Sequence, residues 1–335
     1  MPLSNPPVSV VIATRNRGDS VVETVDSILE SDLSGQDEHS PQKPPIFEVL
    51  VIDQSTDNAC MQAMQKYAND PRVRYQQTAT VGMARARNIA IAQAHSNIIA
   101  ITDDDCIVAD NWLPSIQKAF LDHPNMAILF GNVLPVEYDH SAGFIPSYCR
   151  EKERMVSSPL HKNDVDGLGA CMAIRKDVWQ TFNGFDELLG AGGLLKSSSE
   201  GDLVIHALHK GYEVCEMPAI SVLHNGFRTW EKGAHLIARY WYGTGAMFGK
   251  HLKLYPISTA LTLGLLAWRW AFGKSRVADS LGTNTRKSER LMAFVSGFAK
   301  GLWLKVNRKT GHFQASPVKK SVGTYEFQSP KRTCL

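Results

Sequence analysis

The sequence lacks the cysteine spacings of redox and zinc-binding motifs. It contains six cysteines, and no two of them lie within twenty residues of each other. This excludes CxxC pairs and zinc knuckles, and it argues against a secreted scaffold held by disulfides. The opening segment, MPLSNPPVSV, also lacks the basic stretch and long apolar run of a signal peptide. We therefore expect a reducing compartment, the cytoplasm.

Phosphate-binding loops, internal repeats and a biased composition are absent as well. Neither GxGxxG nor GxxxxGKS/T occurs, so the phosphates of a nucleotide ligand would need a metal ion and arginines. No self-similarity at a period of about 20–50 residues is found. With 44% hydrophobic and 21% charged residues, the composition excludes a disordered or collagen-like chain. The 335 residues suffice for about two domains.

Apolar runs of strand length alternate with helical patterns through the first two thirds of the chain. This alternation predicts an α/β fold with a mainly parallel sheet flanked by helices. The predicted strands are Val8–Ala13, Phe47–Ile52, Val73–Gln76, Ile98–Thr102, Met126–Val133, Gly167–Ile174, Tyr212–Glu216 and Ile220–His224. Ligands of such sheets bind beyond the carboxyl ends of the strands. Polar clusters follow three of these strands, at Thr14–Arg17, Asp53 and Asp103–Asp105.

The acidic triplet after the fourth predicted strand is a candidate metal site. Asp103 and Asp105 point to the same side if strand geometry continues. Carboxylates with water ligands suit Mg²⁺ or Mn²⁺ bound to a substrate phosphate. The alternative is a solvated turn that caps the next helix, but the position directly after a buried strand favours the metal site.

Basic and polar side chains near the same edge are candidates for nucleotide binding. Arg85 and Arg87 lie two positions apart at the start of a helix, so they face different ways and we expect only Arg87 to reach a diphosphate. Asp53, Thr14 and Arg17 can bind a base or a ribose. The alternatives are two surface arginines and, for Asp53, a cap of the turn that follows its strand.

A second pair of carboxylates, Glu200 and Asp202, opens a helix after a glycine-rich turn. Either can act as a general base toward an attacking hydroxyl, although the helix dipole also favours acidic residues in any first turn. His224 follows a predicted strand, and it is either a metal ligand or a structural histidine.

Together these segments resemble glycosyltransferase family 2, whose members are inverting enzymes of the GT-A fold. The resemblance follows the family's order and spacing from residue 8 to about residue 227. It rests on VSVVIATRNR, EVLVIDQSTD, VGMARARNIAI, ITDDDCIVADNWL, GLGACMAIRKDVW, NGFDELLGAGG, SEGDLVIHALHKGYEV and ISVLHNGF. We therefore expect a GT-A catalytic domain over residues 1–230.

The resemblance implies a reaction and a set of site residues. The donor would be a nucleotide-diphospho-sugar, with uridine or guanosine as its nucleoside, and the acceptor a hydroxyl of a glycan or a lipid-linked molecule. Mn²⁺ or Mg²⁺ would be held by Asp103, Asp105 and His224, with Asp105 as the surest contact. The nucleotide would be bound by Thr14, Arg17, Asp53, Arg87, Asp103 and Asp104.

The chain departs from the family at the catalytic acidic pair. The family's Glu-Asp, followed by one residue and Asp-Leu, corresponds here to Ser199-Glu200-Gly201-Asp202-Leu203. Glu200 thus stands where the family has its base aspartate, and Asp202 is the other candidate. The base would deprotonate the acceptor, whose oxygen attacks the anomeric carbon opposite the diphosphate through an oxocarbenium-like transition state.

Two other functions share parts of this pattern. A sugar-nucleotide nucleotidyltransferase has the same strand order, but it would need a glycine-rich phosphate loop where TRNRGDS stands. A non-catalytic carbohydrate-binding or scaffolding protein is expected to lose the metal-binding carboxylates, which are intact. Nucleic acid is not an expected partner.

Charge separates the last third of the chain from the rest. Residues 1–230 carry 18 basic and 29 acidic side chains, a net −11, whereas residues 231–335 carry 18 basic and 4 acidic ones, a net +14. Two amphipathic stretches, Leu254–Trp268 and Leu291–Leu304, are shorter than the roughly 20 apolar residues of a spanning helix. We expect residues 231–307 to form helices that lie on the cytoplasmic face of an anionic membrane, or a packed subdomain that buries the same residues. Residues 308–335 are polar and basic and are expected to be disordered.

Overall fold

A mixed sheet forms the centre of the computed structural model, which describes residues 8–31, 47–272, 287–314 and 324–326. Its strands are β1 (Val8–Thr14), β2 (Phe47–Asp53), β3 (Val73–Thr78), β4 (Ile98–Asp103), β5 (Cys106–Val108), β6 (Met126–Pro135), β8 (Arg154–Val156), β9 (Cys171–Arg175), β10 (Glu213–His224) and β12 (Thr324–Glu326). They follow the order β12-β3-β2-β1-β4-β9-β6-β10-β5, and β8 also pairs with β10. A separate two-stranded ribbon joins β7 (Gly143–Phe144) to β11 (Arg228–Thr229).

The parallel half of the sheet aligns the ends of its strands. β1 lies between β2 and β4 and is parallel to both, and β3 is parallel to β2. The register sets Thr14 opposite Asp53 and Ala13 opposite Asp103. The predicted convergence of three polar clusters on one edge is therefore confirmed.

The other half contains antiparallel pairs that the alternation of strands and helices did not indicate. β9 lies between β4 and β6 and is antiparallel to both. β10 is one long strand where two were predicted, and it stays parallel to β6 across a register shift between Met217 and Ser221. β5 pairs antiparallel with the end of β10, which sets His224 opposite Cys106. This pairing brings the end of β10 to the acidic triplet.

Helices cover both faces of the sheet. They are α1 (Gly18–Glu30), α2 (Ala59–Met64), α3 (Met83–Gln93), α4 (Trp112–Asp122), α5 (Lys176–Thr181) and α6 (Ser199–His209). Alternate residues of a strand point to opposite faces, and the cores follow this rule. Val8, Val10 and Ile12 share one core with α1, α2 and α4, whereas Val11 shares the other with α3, α5 and α6.

The C-terminal helices are α7 (Trp230–Leu254), α8 (Pro256–Phe272) and α9 (Lys287–Trp303). α7 and α9 pack with their backbones close together, because glycines of each helix face the other. A Cβ on Gly245 or Gly249 would collide with the backbone of α9, and one on Gly297 or Gly301 would collide with that of α7. Phe248 of α7 lies in an apolar core shared with α6. These helices therefore pack against the sheet domain as well as on each other.

The outer faces of α8 and α9 stay exposed. Their exposed apolar residues are Ile257, Leu261, Leu265, Trp268, Leu291, Met292, Val295, Leu302 and Trp303. Among the described residues, no helix has the length and apolar character that crossing a membrane requires.

The prediction of disorder from residue 308 onward is wrong for residues 308–314. Phe313 pairs with Val306 and is only 6% exposed. Its backbone N–H donates a hydrogen bond to Asp186 Oδ2 at 2.8 Å. The polar composition of the segment misled the prediction, because one aromatic side chain and one buried carboxylate are enough to fix it. Thr324–Glu326 then pair with β3, and the rest of the predicted disordered tail lies outside the described residues.

Candidate active site

The acidic triplet contacts the turn between β1 and α1. Thr14 donates a hydrogen bond from Oγ1 to Asp104 Oδ2 at 2.7 Å. Arg17 Nη1 lies 2.8 Å from Asp104 Oδ1 and 2.5 Å from Asp105 Oδ2. Burial raises the pKa of Asp104 even though Arg17 opposes the shift. The side chains of Asp104 and Asp105 are each 8% exposed and hold the turn from inside, whereas that of Asp103 is 27% exposed.

Arg87 connects the triplet to the second pair of carboxylates. Its guanidinium is 1% exposed, with Nη2 3.0 Å from Asp103 Oδ1 and Nη1 2.5 Å from Glu200 Oε1. Arg85, by contrast, is 42% exposed and pairs with Glu187 on the surface. Of the two arginines, Arg87 therefore lies inside and Arg85 on the surface. That Arg87 binds a diphosphate stays a prediction.

Glu200 lies in the first turn of α6, with its Oε2 accepting a hydrogen bond from Ser199 Oγ at 2.9 Å. Burial disfavours its charge, but the charge and hydrogen bond of Arg87, with hydrogen bonds from Ser199 and the backbone, together outweigh burial and lower the pKa of Glu200. The glycine at position 169 leaves room for this geometry, because a Cβ there would collide with Glu200 Oε1 and lie 2.8 Å from Arg87 Nη1, and both side chains would have to shift. Glu200 is therefore an ionised carboxylate held against a buried cation.

His224, at the end of β10, contacts Asp105 of the acidic triplet. Its Nε2 lies 3.3 Å from Asp105 Oδ1, and its Nδ1 lies 2.7 Å from the carbonyl oxygen of Pro146. Burial opposes the imidazolium, but the hydrogen bond and charge of Asp105 raise the pKa of His224. Cys106 Sγ lies within 4.8 Å of both side chains. Burial raises the pKa of that thiol well above its ordinary value, so in the structure a neutral thiol lies beside the carboxylate and the imidazole.

Asp53 is fully buried at the end of β2. Its Oδ1 accepts hydrogen bonds from the backbone N–H of Ser55, at 2.7 Å, and from the Ser55 hydroxyl. Its Oδ2 accepts one from Tyr75 Oη at 2.6 Å. In this structure Asp53 makes the contacts of the alternative interpretation, a cap of the following turn. Its contact with a nucleoside stays a prediction.

Asp202 faces away from Glu200 into a separate buried cluster. Lys250 Nζ lies 2.8 Å from Asp202, and 2.8 Å from Asp186 Oδ2. His251 Nε2 lies 2.7 Å from Asp202 Oδ1. Burial disfavours the charge of Asp202, but Lys250, His251 and His206 together outweigh burial and lower the pKa of the carboxyl. The structure thus brings Glu200, and not Asp202, to Arg87, and it uses Asp202 to join α6 to α7.

A third polar network holds the segment before β9. Glu216 is 2% exposed and accepts hydrogen bonds from the backbone N–H groups of Asp166, at 2.7 Å, and Gly167, at 3.0 Å. Tyr148 Oη donates another at 2.9 Å, and Arg150 forms an ion pair with the same carboxylate. No motif marks these residues in the sequence, because the pairs span 49–68 positions.

A model of the family described as Glycosyl transferase family 2 matches residues 9–182, just over half of the chain. The chain belongs to glycosyl transferase family 2. The family match includes the acidic triplet and Arg87, whereas Glu200 and His224 lie beyond its end. Among relatives, the putative colanic acid biosynthesis glycosyl transferase WcaA of Escherichia coli is 27% identical over 129 residues. That similarity covers 37% of this chain and 40% of WcaA, so the chain matches about two fifths of this relative's length.

Solved structures show the same fold as this family 2 chain. A crystal structure of Staphylococcus aureus TarS, residues 1–349, aligns with a TM-score of 0.59 at 16% identity. The alignment covers 89% of this chain and 81% of that one. The mannosyltransferase PcManGT from Pyrobaculum calidifontis, in complex with GDP-Man and Mn²⁺, aligns with a TM-score of 0.54 at 19% identity over 90% of this chain and 88% of its own. The predicted GT-A architecture is therefore confirmed.

Proposed function

We propose that this chain is an inverting glycosyltransferase that moves a sugar from a nucleotide-diphospho-sugar to an acceptor hydroxyl in the synthesis of a cell-surface glycan. The observation that carries the proposal is the contact of Arg87 with both Asp103 and Glu200. A candidate base and a candidate metal site lie 97 positions apart in sequence, yet one buried guanidinium touches both. The similarity to WcaA supports the class of product.

The charge balance of the site fits a divalent cation. Four carboxylates, Asp103–Asp105 and Glu200, meet two guanidinium groups, those of Arg17 and Arg87. These groups sum to −2, and burial together with this negative surplus raises the pKa of Asp103. We assign Asp105, His224 and Asp103 as the residues that would hold Mn²⁺ or Mg²⁺, because oxygen and imidazole ligands suit these ions. When bound, the metal would neutralise charge on the leaving diphosphate.

Arginines and hydroxyls supply the rest of donor binding. Arg17 has a side chain that is 36% exposed, and a planar guanidinium binds phosphate through two parallel hydrogen bonds. It can therefore turn from the carboxylates toward a diphosphate. Thr14, and Asp53 behind it, stay the proposed contacts of the ribose or base. Uridine and guanosine diphosphate sugars are the expected donors, since TarS was solved with UDP-GlcNAc and PcManGT with GDP-Man.

Glu200 is the proposed base. In the structure Arg87 keeps Glu200 ionised. The ionised carboxylate can accept a proton, but the lowered pKa makes it a weak base. A donor diphosphate would compete with Glu200 for Arg87, because phosphate and carboxylate both bind guanidinium. Losing part of this ion pair raises the basicity of Glu200 when the donor is in the site. It then takes the acceptor's proton while the acceptor oxygen attacks the anomeric carbon opposite the diphosphate.

The C-terminal helices are the proposed contact with a membrane. α8 and α9 expose apolar side chains, among them Ile257, Trp268 and Trp303, in the part of the chain that carries net positive charge. Apolar faces flanked by basic residues bind in the plane of an anionic lipid surface. We propose the cytoplasmic face, with a glycan or lipid-linked acceptor.

Donor binding and chemistry are tested separately. A panel of nucleotide sugars with Mn²⁺ is screened by thermal shift, and we expect a UDP- or GDP-sugar to raise Tm only when metal is present. Asp105→Ala should abolish that shift. Asp110→Ala, an exposed aspartate five positions on, is the matched control and should keep it. An equal shift in Asp105→Ala contradicts the metal assignment, and pyrophosphate release from a nucleoside triphosphate and a sugar 1-phosphate would indicate a nucleotidyltransferase instead.

A further inference from the structure

A basic cavity lies at the far end of α6 from Glu200. It has a volume of about 270 Å³, and its lining includes Lys210, Lys253, Arg308 and Lys309 but no carboxylate. Lys210 follows α6 ten positions after Glu200, which corresponds to about 15 Å along a helix. The cavity is therefore separate from the proposed donor site.

The fold builds this cavity from three parts of the chain. Lys210 follows α6. Lys253 is the next-to-last residue of α7, and its Nζ donates hydrogen bonds to the carbonyl oxygens of Leu302, at 3.1 Å, and Leu304. Arg308 and Lys309 lie in the turn that Phe313 anchors. Like charges repel at short range, so gathering four cations without a lining carboxylate costs free energy unless an anion joins them.

A buried histidine adds a second observation that points to a ligand. His206 is 5% exposed and lines the cavity. Its Nε2 lies 3.9 Å from Asp202 Oδ2, beyond hydrogen-bond distance, and has no hydrogen-bond partner among the described residues. Gly311 (φ +75°) allows the turn to approach, because a Cβ there would lie 2.8 Å from His206 Nε2. A buried polar atom without a partner is uncommon in folded proteins and calls for a ligand or a water.

An apolar pocket adjoins the basic cavity. It has a volume of about 380 Å³ and is lined by Leu160, Ile257 and Leu261, among others. Tyr255 lines both spaces, so they share a wall. Ile257 is 77% and Leu261 54% exposed, and both lie on the exposed face of α8. A basic cavity beside an apolar pocket matches a molecule with a phosphate head and a hydrocarbon chain.

We propose that these two spaces form one binding site for an anionic phospholipid, with the phosphate among Lys210, Arg308 and Lys309 and the acyl chain against Tyr255 and α8. The site deepens the membrane association proposed above, since it would fix where α8 meets the lipid and would orient the donor site relative to the surface. The tail beyond residue 314 is a poor occupant, because it carries four basic residues and one acidic residue.

The test uses the full chain and a short-chain phosphatidylglycerol below its micelle concentration, which offers the lipid without a surface. Calorimetry should detect binding, and Lys210→Gln/Arg308→Gln/Lys309→Gln should weaken it about 100-fold. Lys287→Gln/Lys300→Gln/Lys305→Gln removes the same charge from the same region outside the cavity and is expected to bind like wild type. Equal thermal melting of the two variants confirms that both fold.

Two further experiments separate binding of the acyl chain from binding of the phosphate, and the lipid site from the membrane association. Ile257→Ser/Leu261→Ser should weaken binding of the short-chain lipid about tenfold and leave binding of inorganic phosphate unchanged. A wild type that binds phosphate but not the lipid, or equal losses in the two triple variants, would overturn the proposal. Co-sedimentation with phosphatidylglycerol vesicles measures the membrane association by itself. If the cavity variant still co-sediments fully and binds the short-chain lipid normally, the site is refuted while the membrane association stands.

Discussion

Replacing Arg87 with methionine tests whether the buried cation holds the two carboxylate clusters together. The substitution keeps the unbranched apolar stem and removes the charge that Glu200 and Asp103 share. Removing one partner of a buried ion pair typically costs about 3–5 kcal/mol. Glu200 and Asp103 stay 20% and 27% exposed, so water compensates them in part and we expect the lower end, about 3 kcal/mol.

The pH dependence of the lost free energy of unfolding shows whether Arg87→Met acts through the missing charge or through altered packing. Arg87 lowers the pKa of Glu200 in the folded state, so the pair's stabilisation is complete above the unfolded pKa of about 4.3. It is lost as the pH falls through the lower folded pKa. Without Arg87, burial raises the pKa of Glu200 instead, and the carboxyl takes up a proton on the acid side of neutrality. The difference between wild type and Arg87→Met should therefore be largest at pH 7 and shrink toward pH 4.5.

Urea denaturation at several pH values measures this difference. Arg85→Met is the matched control, because Arg85 forms an exposed pair on the same helix and should cost less than about 1 kcal/mol at every pH. A loss for Arg87→Met that does not change with pH would indicate a packing defect. A loss as small as that of Arg85→Met would refute the shared-cation account.

Three other substitutions test separate parts of the site. Lys250→Met leaves Asp202 buried without its cation, and urea denaturation should report a free energy of unfolding that is lower by about 3–5 kcal/mol. A more stable variant would show that burying these charges costs more than their pairing contributes. Gly169→Ala puts a Cβ against both Glu200 and Arg87 and should reduce transfer at least tenfold, and a normal rate would contradict the tight packing of the pair. His224→Ala should weaken Mn²⁺ binding about 10- to 100-fold by calorimetry, and unchanged affinity would remove the histidine from the proposed metal site.

The convergence of Thr14, Asp53 and the acidic triplet could be predicted from sequence, because parallel strands end on one edge wherever buried apolar runs alternate with helices. Helix geometry and the two-residue spacing predicted that Arg85 and Arg87 face different ways, but they did not determine which of the two lies inside. The pairing of Arg87 with Glu200 could not be predicted, since the two residues lie 113 positions apart and their contact has no local signal in the sequence.

The role of Asp202 could not be predicted for a related reason. A carboxylate in the first turn of α6 looks the same in sequence whether it faces a substrate or a buried lysine 48 positions later. Lys250 lies in a segment of mixed apolar and basic residues, as in an exposed amphipathic helix, so nothing in the sequence marks this lysine as buried. Composition likewise failed for residues 308–314, where the anchoring of Phe313 outweighs the polar residues around it.

Sugar transfer by Glu200→Gln tests the central claim most directly. With the donor found in the thermal-shift panel, the variant should bind the nucleotide sugar with a Kd within a few-fold of wild type. It should transfer sugar about 100- to 10,000-fold more slowly, because the amide cannot accept the acceptor's proton. Glu187→Gln, which removes a carboxylate paired with Arg85 on the surface, should transfer at the wild-type rate. A wild-type rate in Glu200→Gln would contradict the assignment of Glu200 as the base.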